Sequence, residues 1–233
     1  MLKTAILLVG GKALRLRPYT ENIPKCMVEV NGRPLIEWIF EWLKENGIRN
    51  IILGVAYKKE VIMNYLGDGS KLGLNIKYND HSAATGTGEA IRLAIENCQV
   101  NDENFIAMNG DELSDISLKN LLRFHLEHEG LATMVTAPLR SQFGVVEIDE
   151  NHTVTNFKEK PVINNKFVNA GIYIFNRGIK EYLPEKGRLE ETTFVNLAKE
   201  GKLKSFKYFG FWNTLNTSKD LENMKKSVEN LKI

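Results

Sequence analysis

The chain has little cysteine, little charge of one sign and no long apolar run, and each shortage removes a class of protein. Its two cysteines, Cys26 and Cys98, lie far apart and match no metal or redox spacing, so the plain reading is a reducing intracellular compartment. The formal net charge of +2 comes from 31 basic and 29 acidic residues, too small an excess to imply a nucleic-acid or membrane partner. The opening residues hold only a short apolar stretch. That stretch is far below a membrane span and lacks a small-residue cleavage region, so the expected location is the cytoplasm. Internal repeats, low-complexity tracts and Pro/Ser-rich linkers are lacking. The first glycine loop contains neither the Gly-Lys-Ser/Thr ending of a Walker loop nor a Gly-x-Gly-x-x-Gly, which disfavours a dinucleotide-binding oxidoreductase.

What is present is enough chain for one sizeable core. At 233 residues the expectation is a single domain over 1–233 that needs no disulfide or metal staple. The apolar run at 5–9 ends in Gly-Gly and predicts a buried parallel strand, followed by a helix over 35–46 with Gly47 beyond it. Strands over 50–55, 74–78 and 105–108 then alternate with helices over 58–66 and 88–97. Such units with short turns build a mostly parallel sheet with right-handed crossovers. Beyond this, more alternating strands are expected over 133–138, 144–148, 153–158, 171–175 and 205–211, as a mixed extension of the same sheet. Helices are expected over 118–128, 191–199 and 218–231, the last with Ser218 as N-cap.

Ligands of such sheets sit beyond the carboxyl ends of the strands, where four polar or glycine-rich segments fall: 10–17, 79–88, 109–115 and 159–171. Gly10-Gly11 permits backbone N–H groups to face a phosphate, or serves only the geometry of a strand–turn. Lys25 after Pro24 is a point charge for a polyphosphate, or a solvated lysine. Thr85-Gly86-Thr87-Gly88 opens a helix whose terminus offers free N–H groups, or is a capped helix with a flexible entry. Asp111 in Asn109-Gly110-Asp111 suits Mg2+, or caps a turn. Glu159-Lys160-Pro161 and Asn169-Ala170-Gly171 offer a carboxylate and an amide to sugar hydroxyls and a lysine to a sugar phosphate.

In order and spacing these segments resemble the sugar-1-phosphate nucleotidyltransferase family. The family's Leu-Ala-Gly-Gly-x-Gly-Thr-Arg-Leu-x-Pro opening is similar to Leu8-Val9-Gly10-Gly11 through Arg15-Leu16-Arg17-Pro18. Its Pro-Lys-Pro and Asn-Gly-Asp elements are similar to Pro24-Lys25-Cys26 and to residues 109–111. Gly210-Phe211-Trp212 matches as well, and the resemblance covers nearly the whole chain. It implies a three-layer α/β/α, Rossmann-like nucleotidyltransferase fold, without the β-helix extension of larger relatives. The implied activity is Mg2+-dependent transfer from an NTP to a sugar 1-phosphate, giving NDP-sugar and pyrophosphate. By the same resemblance Arg15, Lys25 and Asp111 are catalytic, with Asp111 the metal ligand. Gly10, Gly11, Asn79 and Gly86 bind nucleotide. Gly144, Glu159, Lys160 and Asn169 bind the sugar phosphate. Tyr65 to Ser70 and Phe143 to Ile148 look most like the short mannose- or heptose-1-phosphate guanylyltransferases. Base, sugar and assembly into a homo-oligomer stay open.

Two departures from the family pattern matter. Ala13 and Leu14 stand where the loop usually has glycine and threonine, and alanine at positive φ there costs about 1 kcal/mol or more. The family's Trp-x-Asp-Val/Ile-Gly-Thr reads Trp212-Asn213-Thr214-Leu215-Asn216-Thr217, so a neutral hydroxyl replaces the second metal-binding aspartate. Either Asp111 and the phosphates hold the cation without it, or the chain is a nucleotide-binding regulatory subunit of the same fold.

Overall fold

The computed structural model describes residues 2–229. Its centre is a seven-stranded sheet in the order β12-β8-β11-β6-β1-β4-β5. The strands are β1 (Thr4–Leu8), β4 (Asn50–Val55), β5 (Asn75–Asp80), β6 (Asn104–Asn109), β8 (Ala132–Arg140), β11 (Val162–Asn176) and β12 (Leu203–Lys207). β5, β4, β1 and β6 are mutually parallel, while β11 runs antiparallel to both β6 and β8. Three further ribbons are short: β2 (Glu29–Val30) with β3 (Arg33–Pro34), β7 (Glu112–Ser114) with β13 (Trp212–Thr214), and β9 (Val145–Ile148) with β10 (Val154–Lys158).

Both faces of the sheet are covered, as a parallel sheet requires. In β1 the alternation of side chains sends Ala5 and Leu7 to one core and Ile6 to the other. The first core takes residues of α1 (Leu35–Glu45), α2 (Lys59–Leu66), α4 (Leu118–Leu126) and α6 (Ser218–Val228). The second takes residues of α3 (Thr87–Asn97) and α5 (Thr193–Lys199). In α1, six apolar side chains from Leu35 to Leu43 are buried, each contributing about 1.5–3 kcal/mol of transfer free energy before entropy is counted. The Trp42 indole keeps its hydrogen bond in the core by donating to the Ile116 carbonyl at 2.9 Å. Among the described residues no helix is long and apolar enough to cross a membrane.

The fold corrects several expectations. β9 and β10 do not extend the main sheet; they form a separate arm whose Phe143, Ile148 and Phe157 are exposed. β11 starts nine residues before the expected 171–175 segment, at Val162. The strand expected over 205–211 is Leu203–Lys207, because the chain leaves the sheet after the Tyr208 N–H bonds the Thr136 carbonyl. The N-cap of α6 is Thr217, not Ser218: Thr217 and Asp220 form a reciprocal capping box. The expected last residue of that helix, Leu231, lies outside the described residues.

Candidate active site

A cavity of about 720 Å3 opens at the carboxyl ends of β1, β4, β5 and β6, where the sheet topology places a ligand. Gly10, Gly11, Lys25, Gly86 and Asp111 all line it, so segments far apart in sequence meet on one rim.

The glycines do different work. A Cβ on Gly10 would come 2.4 Å from His81 Nε2 and 2.8 Å from Ala56 Cβ, so its bareness lets the floor pack. Gly11 has no atom within 4 Å of the same hypothetical Cβ; the space beside it belongs to the cavity. Gly86 is held to glycine by backbone, since a Cβ would lie 2.4 Å from Gly187 C and 2.5 Å from Gly187 O. That carbonyl accepts from the N–H groups of Gly88 and Glu89 at 3.1 and 3.2 Å. The opening turn of α3 therefore does not offer these donors to a phosphate, contrary to the expectation of free N–H groups. Glu89 completes the turn by accepting from the Thr85 N–H and hydroxyl at 2.7 and 2.8 Å. These bonds, the backbone one first, hold its carboxyl below the usual range.

The charged cluster sits at the end of β6. Lys25 Nζ lies 2.5 Å from Asp111 Oδ2 and donates to Asn216 Oδ1 at 3.0 Å. Arg15 donates to the same Asn216 oxygen at 3.4 Å, and the Asn216 amide donates to Thr214 Oγ1 at 2.9 Å. Asn216 thus ties both cations to the strand that faces β7. Sequence reading missed it, although it stands at the glycine of the family's Trp-x-Asp-Val/Ile-Gly-Thr pattern. Ala13 does adopt the left-handed conformation, at φ 45°, and its carbonyl accepts from Thr20 Oγ1 at 2.9 Å. Cys26 also lines the cavity, but burial pushes its thiol up to about 12, so it is no nucleophile at neutral pH.

The remaining expected residues lie elsewhere. Asn79 is buried and does not line the cavity; its side-chain oxygen accepts from Asn97 of α3 at 2.8 Å. His81, two residues on, lines it instead, with Nδ1 buried and unpartnered. Burial lowers the His81 pKa and keeps the ring neutral. Gly144, Glu159, Lys160 and Asn169 do not line the cavity. Gly144 packs against Phe157 and Glu159 in the arm, and Lys160 pairs with Glu159 at 3.5 Å in solvent. Asn169 bonds Tyr173 at 2.8 Å and the Gly171 N–H at 2.9 Å. Lys12 lines the cavity within the expected 10–17 segment, whereas Arg188 and Glu190 line it from outside all four expected segments.

A nucleotidyl transferase family model matches residues 4–230. The chain belongs to the nucleotidyl transferase family. The chain is 34% identical over 222 residues to the mannose-1-phosphate guanylyltransferase catalytic subunit beta of Drosophila melanogaster, covering 93% of the chain and 60% of that protein. It is 34% identical over 223 residues to a mannose-1-phosphate guanyltransferase of Gibberella zeae, covering 92% and 61%. The chain therefore spans about three fifths of the length of these curated relatives. Among solved structures, HddC from Yersinia pseudotuberculosis complexed with GMP-PN is similar at a TM-score of 0.75 and 22% identity, over 97% of this chain and 100% of that one. That likeness carries the α/β fold: a mostly parallel mixed sheet with flanking helices.

Proposed function

We propose that residues 1–233 form one nucleotidyltransferase domain that transfers a nucleotidyl group from an NTP to a sugar 1-phosphate, releasing pyrophosphate. The observation that carries this is that Lys25 and Asp111 meet on the cavity's lining, while Arg15, which does not itself line the cavity, shares the Asn216 oxygen with Lys25. In the reaction the sugar phosphate attacks the α-phosphorus in line with the departing pyrophosphate. Such transfer needs positioning and charge neutralisation more than covalent help. The triphosphate lies along Gly11, where no side chain intrudes. Lys25 leaves Asp111 to meet the reacting phosphates, and Arg15 holds the outer ones. Neutral His81 beside the cavity floor reads the edge of the base, and the relatives' names favour guanine over the other bases and mannose 1-phosphate as acceptor. Lys160 and Glu159 reach the sugar phosphate from the arm.

This family's chemistry takes a divalent cation, and we assign Mg2+. Asp111 suits it as a hard oxygen donor at a strand end. Among the described residues no three His, Cys, Asp or Glu side chains are grouped so as to hold a metal ion, so phosphates and water supply most of the shell, as Mg2+ readily allows. The cation supplies charge stabilisation on the transferring phosphate. Thr214 is the one observation favouring a nucleotide-binding subunit without turnover. The deciding assay incubates the chain with Mg2+, each NTP and a panel of sugar 1-phosphates and measures pyrophosphate. Release with one pair is expected, with GTP and mannose 1-phosphate first. Nucleotide binding without pyrophosphate from any pair would overturn the enzymatic reading.

A further inference from the structure

Glu112 is a buried acid that the site as described does not use. It opens β7 directly opposite Thr214 of β13 in the antiparallel register. Directly opposed residues carry their side chains on the same face of the ribbon, with Cβ atoms about 4.5–5.5 Å apart. Glu112 is only 6% exposed, and its Oε2 is buried with no hydrogen-bond partner. An orphaned carboxylate oxygen is costly to bury and calls for a positive partner. The chain makes room for it: Gly171, at φ +70°, would place a Cβ 2.9 Å from both Cγ and Oε1 of Glu112. Its sequence neighbour is Asp111, which already holds the Lys25 ammonium.

We propose that Glu112 is the second carboxylate of the divalent-cation site, supplied from β7 because the opposed position on β13 is the neutral Thr214. The inference rests on the proposed cation at Asp111. A dication meets the carboxylates of Asp111 and Glu112 together and frees Lys25, which Asp111 now holds, for the phosphates. The resembled pattern places an acid on β13, and here the acid has crossed the ribbon to the residue facing it. A side chain pointing to the same face reaches the same cation from the other strand.

The test is Mn2+ binding to the protein alone, read from the electron paramagnetic resonance signal of free Mn2+. Asp111→Asn is expected to abolish binding. Glu112→Gln, nearly isosteric, is expected to weaken it about tenfold while melting with the wild type. Glu112→Gln with Thr214→Asp is expected to return within about threefold of the wild type, the acid having been moved back across the ribbon. Loss in Asp111→Asn with wild-type affinity in Glu112→Gln overturns the proposal and leaves the cation at Asp111. Wild-type affinity in Asp111→Asn, or no uptake by the wild type at millimolar Mn2+, overturns both. A double variant as weak as Glu112→Gln overturns the exchange of positions. If Glu112→Gln fails to fold, Thr214→Asp alone decides: about tenfold tighter Mn2+ binding is expected, and unchanged binding overturns the proposal.

Discussion

Replacing Gly86 and Gly11 by alanine separates what the fold needs from what the ligand needs. Gly86 has φ −178°, extended backbone that alanine adopts without strain, so only space is at issue. Its Cβ would lie 2.4, 2.5 and 2.8 Å from the C and O of Gly187 and the N of Arg188. All three are backbone atoms, which cannot swing aside as a side chain does. Relief requires moving the Gly187 peptide off α3, which breaks the bonds from Gly88 N–H and Glu89 N–H. Two hydrogen bonds at about 1 kcal/mol each, with an overpacking cost of about 1–3 kcal/mol, give about 3–5 kcal/mol. For a chain of this size that lowers Tm by on the order of 10 °C. Gly11→Ala meets no atom within 4 Å and is expected to melt with the wild type. Under the proposed function its methyl group intrudes on the path assigned to the polyphosphate and is expected to lower pyrophosphate release by roughly tenfold or more. Thermal melts by circular dichroism and the pyrophosphate assay read both. A Gly86→Ala variant melting with the wild type would refute the steric argument, and full activity in Gly11→Ala would remove the phosphates from that loop.

Lys25→Ala is expected to lower kcat by about 10²–10³ with little change in Tm, since a partly exposed ion pair contributes about 1 kcal/mol or less. Steady-state kinetics with a melting curve checks this, and a large loss of Tm at unchanged kcat would contradict it. Ala13→Gly relieves the left-handed alanine at φ 45°; a gain of about 0.5 kcal/mol, after the entropy of glycine is deducted, is expected in the urea midpoint. His125 is buried between Thr133 and Asn104 at 2.8 and 3.0 Å. Burial first, and His128 second, lower its pKa from 6.5 to about 4. The unfolded chain binds the proton first, so the neutral ring's contribution is full above pH 6.5 and is lost as pH falls toward 4. The loss is about 2 kcal/mol once partial water access is allowed for. Urea unfolding of wild type and His125→Gln at pH 7, 5.5 and 4.5 is expected to show a shallower acid decline in the variant; parallel declines would count against it.

The parallel half of the fold was open to reading because buried parallel strands are continuous apolar runs. The strand over 50–55 is observed at the expected residues, and α1 falls within one residue of its expected end. The first half of β11, Val-Ile-Asn-Asn-Lys-Phe-Val-Asn, is largely exposed and has neither an apolar run nor clean alternation, so it left no signal. β7 and β13 are three residues each and exist only through their pairing; no local pattern announces them. The same pairing brings Asn216 to Lys25 and Glu112 opposite Thr214, contacts that spacing along the chain does not reveal. The core of the site was legible because Gly10, Gly11, Lys25, Gly86 and Asp111 each sit at a strand or helix end, where loops converge. Asn79 misled because it belongs to the strand itself, one turn of pleat before the cavity, and His81 beyond the strand end takes the lining position.

The peptide at Gly187 bears on how the proposed base preference could be changed. The wall that the proposed function assigns to the base is built from two stretches about a hundred residues apart, clamped by one carbonyl and by the Thr85 hydroxyl, which accepts from the Gly187 N–H at 2.9 Å. Grafting residues 79–89 from a relative with another preference would carry the base contacts but not their counterpart. A transplant of specificity therefore has to move the 184–190 stretch in the same step, and single-segment chimaeras should lose order in the wall before they gain a new base.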